Sequence, residues 1–218
     1  MPVETPPLYQ IASRLQDTGR APLTGLDAHA LLAPKPIRHG WRPGEIPGDA
    51  RAAAALMLLY LQDDAPHVLL TVRDGGLSRH AGQVSFPGGL VDGAETVREA
   101  ALRETFEETG IASAGVELVG ELTPIYINVS GYVLHPVVGV ADRAPAMRRA
   151  TAEVARLLPV AFDEIADPAN LRLGVRWRDD RWFDVPYFAL RNERVWGATA
   201  MVLGEVLARI GLGPRDPW

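Results

Sequence analysis

The segment from Thr96 to Gly110 is punctuated as a helix at both ends, and any fold of this chain has to accommodate it. Thr96 with Glu99 three positions on has capping-box spacing, in which the hydroxyl and the carboxylate each satisfy a free backbone N–H at the helix start. Val97 to Thr109 follows without a proline, and Gly110 stands where a left-handed residue ends a helix. Arg103, Glu104, Glu107 and Glu108 fall within two turns of it. At about 100° per residue the three glutamates share an arc of about 100°. Val97, Ala100 and Ala101 lie on the same side and are small enough for close packing.

On the N-terminal side, Ala52 to Leu61 and His67 to Val72 are short apolar runs separated by Gln62–Pro66, the pattern of two strands and a turn. Leu77 to Gly93 is glycine-rich and reads as a loop with a short strand at Val84 to Phe86. On the C-terminal side, Val116 to Leu122, Tyr132 to Val140 and Val154 to Pro159 read as strands, and Ala198 to Ile210 as a last helix before Gly211. Strands on both sides of a capped helix, with another helix at the end, predict an α/β (α+β) fold, a mixed β-sheet between helices. Residues 1–49 are Pro- and Gly-rich, with one amphipathic helix through Leu8, Ile11, Ala12 and Leu15. They read as an extension packed on a domain spanning 50–212, with 213–218 a tail.

Composition narrows the functions. A formal net charge of -5 leaves no broad basic surface for nucleic acid. The absence of cysteine excludes a thiolate nucleophile and Cys-ligated zinc. No signal peptide is expected, and the longest apolar run is too short for a bilayer, so the expected location is the cytoplasm and no membrane is involved.

Three carboxylates crowded on one helix repel one another unless water or a cation neutralises them. A solvated acidic face is the plain alternative. Hard oxygen ligands suit Mg²⁺ or Mn²⁺, which keep several waters and accept substrate phosphates in the remaining positions.

The context decides between these. Phe86, Pro87, Gly88 and Gly89 are followed at fixed spacings by Glu95, Arg103, Glu104, Glu107, Glu108 and Gly110, and this arrangement resembles the Nudix box throughout. At about 7% usage per residue type, the seven positions from Gly89 to Gly110 match by chance on the order of once in a hundred million registers. Thr105 stands where that box has an aliphatic residue, and still offers a methyl for packing. The resemblance implies an αβα sandwich and a metal site drawing on Glu104, Glu107 and Glu108. Gly88 and Gly89 would permit unusual backbone angles and let a carbonyl approach the cation. Glu95 beside Arg103 would fix the guanidinium that orients the glutamates; an ordinary surface ion pair is the alternative for that pair.

Further upstream, Leu69–Arg73 and Leu77–Gly89 resemble the extended signature of the coenzyme A pyrophosphatase branch, as do Gly131–Tyr132, His135–Pro136 and Trp196–Ala200. Asp74 and Ser78 depart from it: a small residue and an arginine are usual there. Arg73, Arg79 and His80 form a local cationic segment suited to a phosphorylated nucleotide. Each also has an ordinary structural reading, as a strand-end ion pair or a satisfied loop residue.

The resemblance implies hydrolysis of a phosphoric anhydride by water, with 3′,5′-ADP and 4′-phosphopantetheine as products if coenzyme A is the substrate. ADP-ribose, dinucleotides and nucleoside triphosphates are the rival substrates. A non-catalytic nucleotide-binding module is the rival of another class, although it would be expected to lose box carboxylates. The general base is open among the box glutamates and Glu153. A homodimer is implied by family resemblance only.

Overall fold

The computed structural model describes residues 5–16, 25–37, 41–76, 82–178, 180–213 and 216–218. Ser78, Arg79 and His80 lie outside the described residues. Along the chain run α1 (Leu8–Gln16), α2 (Gly25–Leu32), β1 (Arg51–Gln62), β2 (Ala65–Arg73), β3 (Val84–Ser85), β4 (Gly88–Leu90) and α3 (Val97–Thr109). There follow β5 (Glu117–Glu121), β6 (Ile125–Ile127), β7 (Tyr132–Ala141), β8 (Val154–Ala161), α4 (Phe162–Ala166), β9 (Leu171–Arg178), β10 (Arg181–Leu190), β11 (Glu193–Trp196) and α5 (Ala198–Arg209).

Among the described residues, β1 to β8 form one eight-stranded sheet. Its centre is β1, antiparallel to β2 and parallel to β7 over ten residue pairs from Arg51↔Tyr132 to Tyr60↔Ala141. A central strand flanked this way is buried on both faces, which is why its apolar run does not alternate. Ala54, Leu56, Leu58 and Tyr60 pack with Ala100 and Ala101 of α3. Ala55, Met57 and Leu59 face the opposite layer, with Met201, Val202 and Leu203 of α5 and with Ile11 and Leu15 of α1. Helices therefore cover both faces of a mixed sheet, as expected of an αβα sandwich.

Among its described residues the N-terminal stretch holds two helices where one was expected. The second, α2, docks on α5 through a buried network: His29 Nε2 lies 2.9 Å from Glu205 Oε2, while Arg209 Nη2 and the Thr123 hydroxyl donate to Glu205 Oε1 at 2.7 and 2.9 Å. Trp41 Nε1 donates to the Tyr126 carbonyl at 2.9 Å and holds the following segment against β6.

A second sheet, ordered β11-β10-β9, was not expected from the sequence, and neither were β4, β6 and α4. Lys35 ties the N-terminal segment to this sheet by two backbone hydrogen bonds with Asp184, at 2.9 and 2.8 Å. Among the described residues no helix is long and apolar enough to cross a membrane.

Candidate active site

The site grows from the start of α3. Thr96 and Glu99 close the capping box, and Gly110 ends the helix at φ 69°, so the register of every side chain between them is fixed. Thr105 is buried and its hydroxyl bonds back to the Ala101 carbonyl at 2.7 Å, so its methyl packs without stranding a polar group.

Arg103 is the hub. Its Nε and Nη2 donate to Glu95 Oε2 and Oε1 at 3.0 and 2.7 Å, a two-pronged contact with directional strength. Nη2 also donates to the Leu90 carbonyl at 2.9 Å, and Nη1 reaches Glu104 Oε1 at 2.9 Å and Glu107 Oε2 at 3.4 Å. The Arg103 hydrogen bond, with the Asp92 N–H, draws the Glu95 carboxyl down to about 2.

The three glutamates share an arc but not an environment. Glu107 is more than half exposed, Glu104 is largely covered, and Glu108 is buried against the sheet. Burial pushes Glu108 up to about 7, against the pull of Arg73 and a hydrogen bond from the Gly88 N–H. Burial also raises Glu104, against Arg103. Glu108 Oε2 and Arg73 Nε are both buried without a hydrogen-bond partner. As they stand, no three His, Asp or Glu side chains among the described residues are disposed to hold a metal ion.

Gly88 and Gly89 matter for a reason other than the one expected. Neither has a positive φ; they form the short strand β4, paired with Ala55 and Ala54. A β-carbon on Gly88 would run into the Ala54 backbone oxygen, and one on Gly89 into the Glu104 carboxylate. The glycines supply room rather than unusual backbone angles.

Glu153 is brought in by the loop after β7. The Arg148 and Ala150 N–H groups donate to the Thr109 and Glu108 carbonyls at 2.8 and 3.1 Å, capping the end of α3 and directing the chain toward β2. There Glu153 Oε2 accepts from Arg73 Nη2 at 3.0 Å. Arg73 thus pairs with Glu153, and its charge also draws on the Glu108 carboxyl. The Asp74 side chain accepts from the Gly76 N–H at 2.8 Å, so it is occupied within its own turn.

Beside the glycines lies a cavity of about 340 Å³, lined by Phe86, Trp41, Tyr126, Leu134 and Met201 and by Arg73. Arg178 and Trp196, from the second sheet, also line it. Sequence reasoning missed Arg178 as a candidate. The alternation of Leu171, Leu173, Val175 and Trp177 with polar residues is a strand signal that would have placed it on a defined face.

The Nudix domain family model matches residues 50–173. A protein of Escherichia coli O6:H1 described as uncharacterized Nudix hydrolase NudL is 35% identical over 169 residues, covering 74% of this chain and 84% of its own. A protein of the same description from Klebsiella pneumoniae is 34% identical over 202 residues, 87% of this chain and 94% of its own.

The chain belongs to the Nudix hydrolase family.

A solved Nudix hydrolase from M. smegmatis, RenU, is 25% identical over 54% of this chain and 74% of its own, with a TM-score of 0.47. As a Nudix hydrolase, this protein is an enzyme acting on phosphoric anhydrides, and the family generally works with divalent metal ions. The donor set here fits such an ion. A buried carboxylate with an unpartnered oxygen, next to a second one seated on a glycine, gains from a cation what it lacks in solvent.

Proposed function

We propose that this Nudix hydrolase cleaves the diphosphate of coenzyme A or its acyl derivatives, giving 3′,5′-ADP and 4′-phosphopantetheine or its acyl form, with Mg²⁺ or Mn²⁺. The observation that carries this reading is the cavity beside Gly88 and Gly89, whose walls are mostly apolar but include Arg73 and Arg178. A diphosphate next to the box would leave a long, weakly polar arm such as pantetheine in that cavity.

Glu104 and Glu108 would hold the cation, with a carbonyl near Gly88 or Gly89 and with Glu107 alongside. When bound, the ion screens the diphosphate and stabilises charge developing as the anhydride breaks. Arg103, fixed by Glu95, keeps Glu104 from turning away. Arg73, which lines the cavity and spends one Nη on Glu153, would meet a phosphate oxygen with a remaining donor. Water is the nucleophile, and Glu153 or a box glutamate takes its proton as the phosphorus–oxygen bond forms and the bridging oxygen leaves. Arg79 and His80 are further proposed phosphate contacts. The side chain of Asp74, tied to Gly76, does not weigh against coenzyme A.

The test is incubation of the full chain with coenzyme A and Mg²⁺ in ¹⁸O-water, with ADP-ribose and a nucleoside triphosphate in parallel. The reading expects 3′,5′-ADP and 4′-phosphopantetheine, one of them carrying the label. Preferential turnover of ADP-ribose or the triphosphate would replace it, and failure to release 3′,5′-ADP from coenzyme A would overturn it.

A further inference from the structure

Beyond Arg178 and Trp196, which line the substrate cavity, the same face of the second sheet lines a cleft that the catalytic reading does not use. Tyr187 of β10 pairs with Arg172 of β9, and Ala189 with Arg194 of β11. Directly paired residues project to the same side of a sheet, so Arg172, Tyr187 and Arg194 share one face. That face closes against β8 and the β10–β11 turn to form a polar cleft of about 850 Å³, which Arg156 and Arg191 also line. Four guanidiniums in one cleft stand out in a chain whose net charge is -5.

Three of these guanidiniums are positioned by contacts that leave donors free. Arg194 lies over the Tyr187 ring at 5.1 Å, Arg172 Nε reaches the Ala169 carbonyl at 3.3 Å, and Arg156 uses Nη2 on Glu193. Arg191 is held through its backbone: it adopts φ 50°, a left-handed conformation costly for a residue with a β-carbon, and its N–H donates to Glu164 Oε1 at 2.5 Å. Glu164 and Glu193 are the carboxylates in the lining, and both are engaged in these contacts. Four positive groups against two negative ones leave the cleft cationic, with planar donors of the kind that grip phosphate oxygens in pairs.

We propose that this cleft is a second, non-catalytic anion site that takes a diphosphate group, either free or carried by a nucleotide. It is built from β8, β9, β10 and β11 and the turn at Arg191, and uses none of the box carboxylates. A diphosphate matches it better than a single carboxylate, because several forks on different strands need several acceptor oxygens.

Calorimetric titration of the full chain with inorganic pyrophosphate, and separately with ADP, in low salt with EDTA, tests this. The proposal expects saturable binding, weakened about tenfold or more in the double variant Arg172→Gln/Arg194→Gln while metal-dependent hydrolysis stays unchanged. Glu193→Gln, which removes a competing carboxylate and frees Arg156, is expected to tighten binding severalfold. It also covers the case in which the double variant does not fold. Pyrophosphate binding with ADP excluded identifies the free anion; equal binding of both identifies the shared group. Unchanged affinity in these variants, absence of saturation at millimolar ligand, or binding confined to a single-stranded oligonucleotide would overturn it.

Discussion

The Glu104 carboxylate fills the space that a β-carbon on Gly89 would occupy. Strand β4 and helix α3 therefore meet at a point where one methyl group decides the position of a proposed metal ligand. Gly89→Ala is expected to displace Glu104 and lower kcat/KM by about a hundredfold, the scale of an ångström-sized misplacement of a catalytic group. Steady-state kinetics with a circular dichroism control on folding measures this; activity within a factor of two of the native enzyme would count against it.

Arg103 contacts Glu95, Glu104, Glu107 and the Leu90 carbonyl at once, which requires a planar fork. Arg103→Lys keeps the charge and loses most of these contacts. The expected result is at least about a tenfold fall in kcat, because a single ammonium cannot hold both Glu95 and Glu104 in register. Equal kcat for the two enzymes would reduce Arg103 to a surface ion pair.

Glu205 is buried in the α2–α5 network. Burial alone would raise its carboxyl, but His29, Arg209 and the Thr123 N–H outweigh that and hold it below its ordinary 4.5. The unfolded chain therefore binds this proton more tightly than the folded one. The network's contribution is complete above the unfolded pKa and is lost as pH falls through the lower folded value. Glu205→Gln is expected to cost about 3 kcal/mol, lowering Tm by about 6–12 °C near neutrality, and to flatten the acid limb of the Tm–pH curve. Thermal melts from pH 3 to 8 check both; an unchanged acid limb would contradict the assignment.

Trp41 reaches the substrate cavity from the N-terminal segment. If the arm of coenzyme A lies there, Trp41→Ala is expected to raise KM by about tenfold with kcat nearly unchanged, the signature of binding lost equally in ground and transition states. A fall in kcat at constant KM would place the arm elsewhere.

The parts of this protein legible in the sequence are those where local chemistry and burial agree. The capping box at Thr96, the stop at Gly110 and the unbroken apolar run of β1 each state in a few residues what the fold then does. The β9–β10 hairpin escaped because its alternating apolar side does not face the core: Val175, Trp177 and Trp182 are all more than half exposed. Helix α2 escaped because its partner, Glu205, lies far along the chain, and no local pattern reveals a buried His–Glu–Arg network. At the site, spacing placed the three glutamates on one arc. Their unequal burial depends on how α3 tilts against β4, which only the packed structure settles.

The central claim is that Glu108, buried with one oxygen unpartnered, helps hold the cation that makes a diphosphate cleavable. The direct measurement is turnover of coenzyme A by Glu108→Gln at saturating Mg²⁺, a substitution that removes the ligand charge at nearly constant volume. Folding intact with turnover abolished is the predicted result, and full activity in that variant would contradict the account.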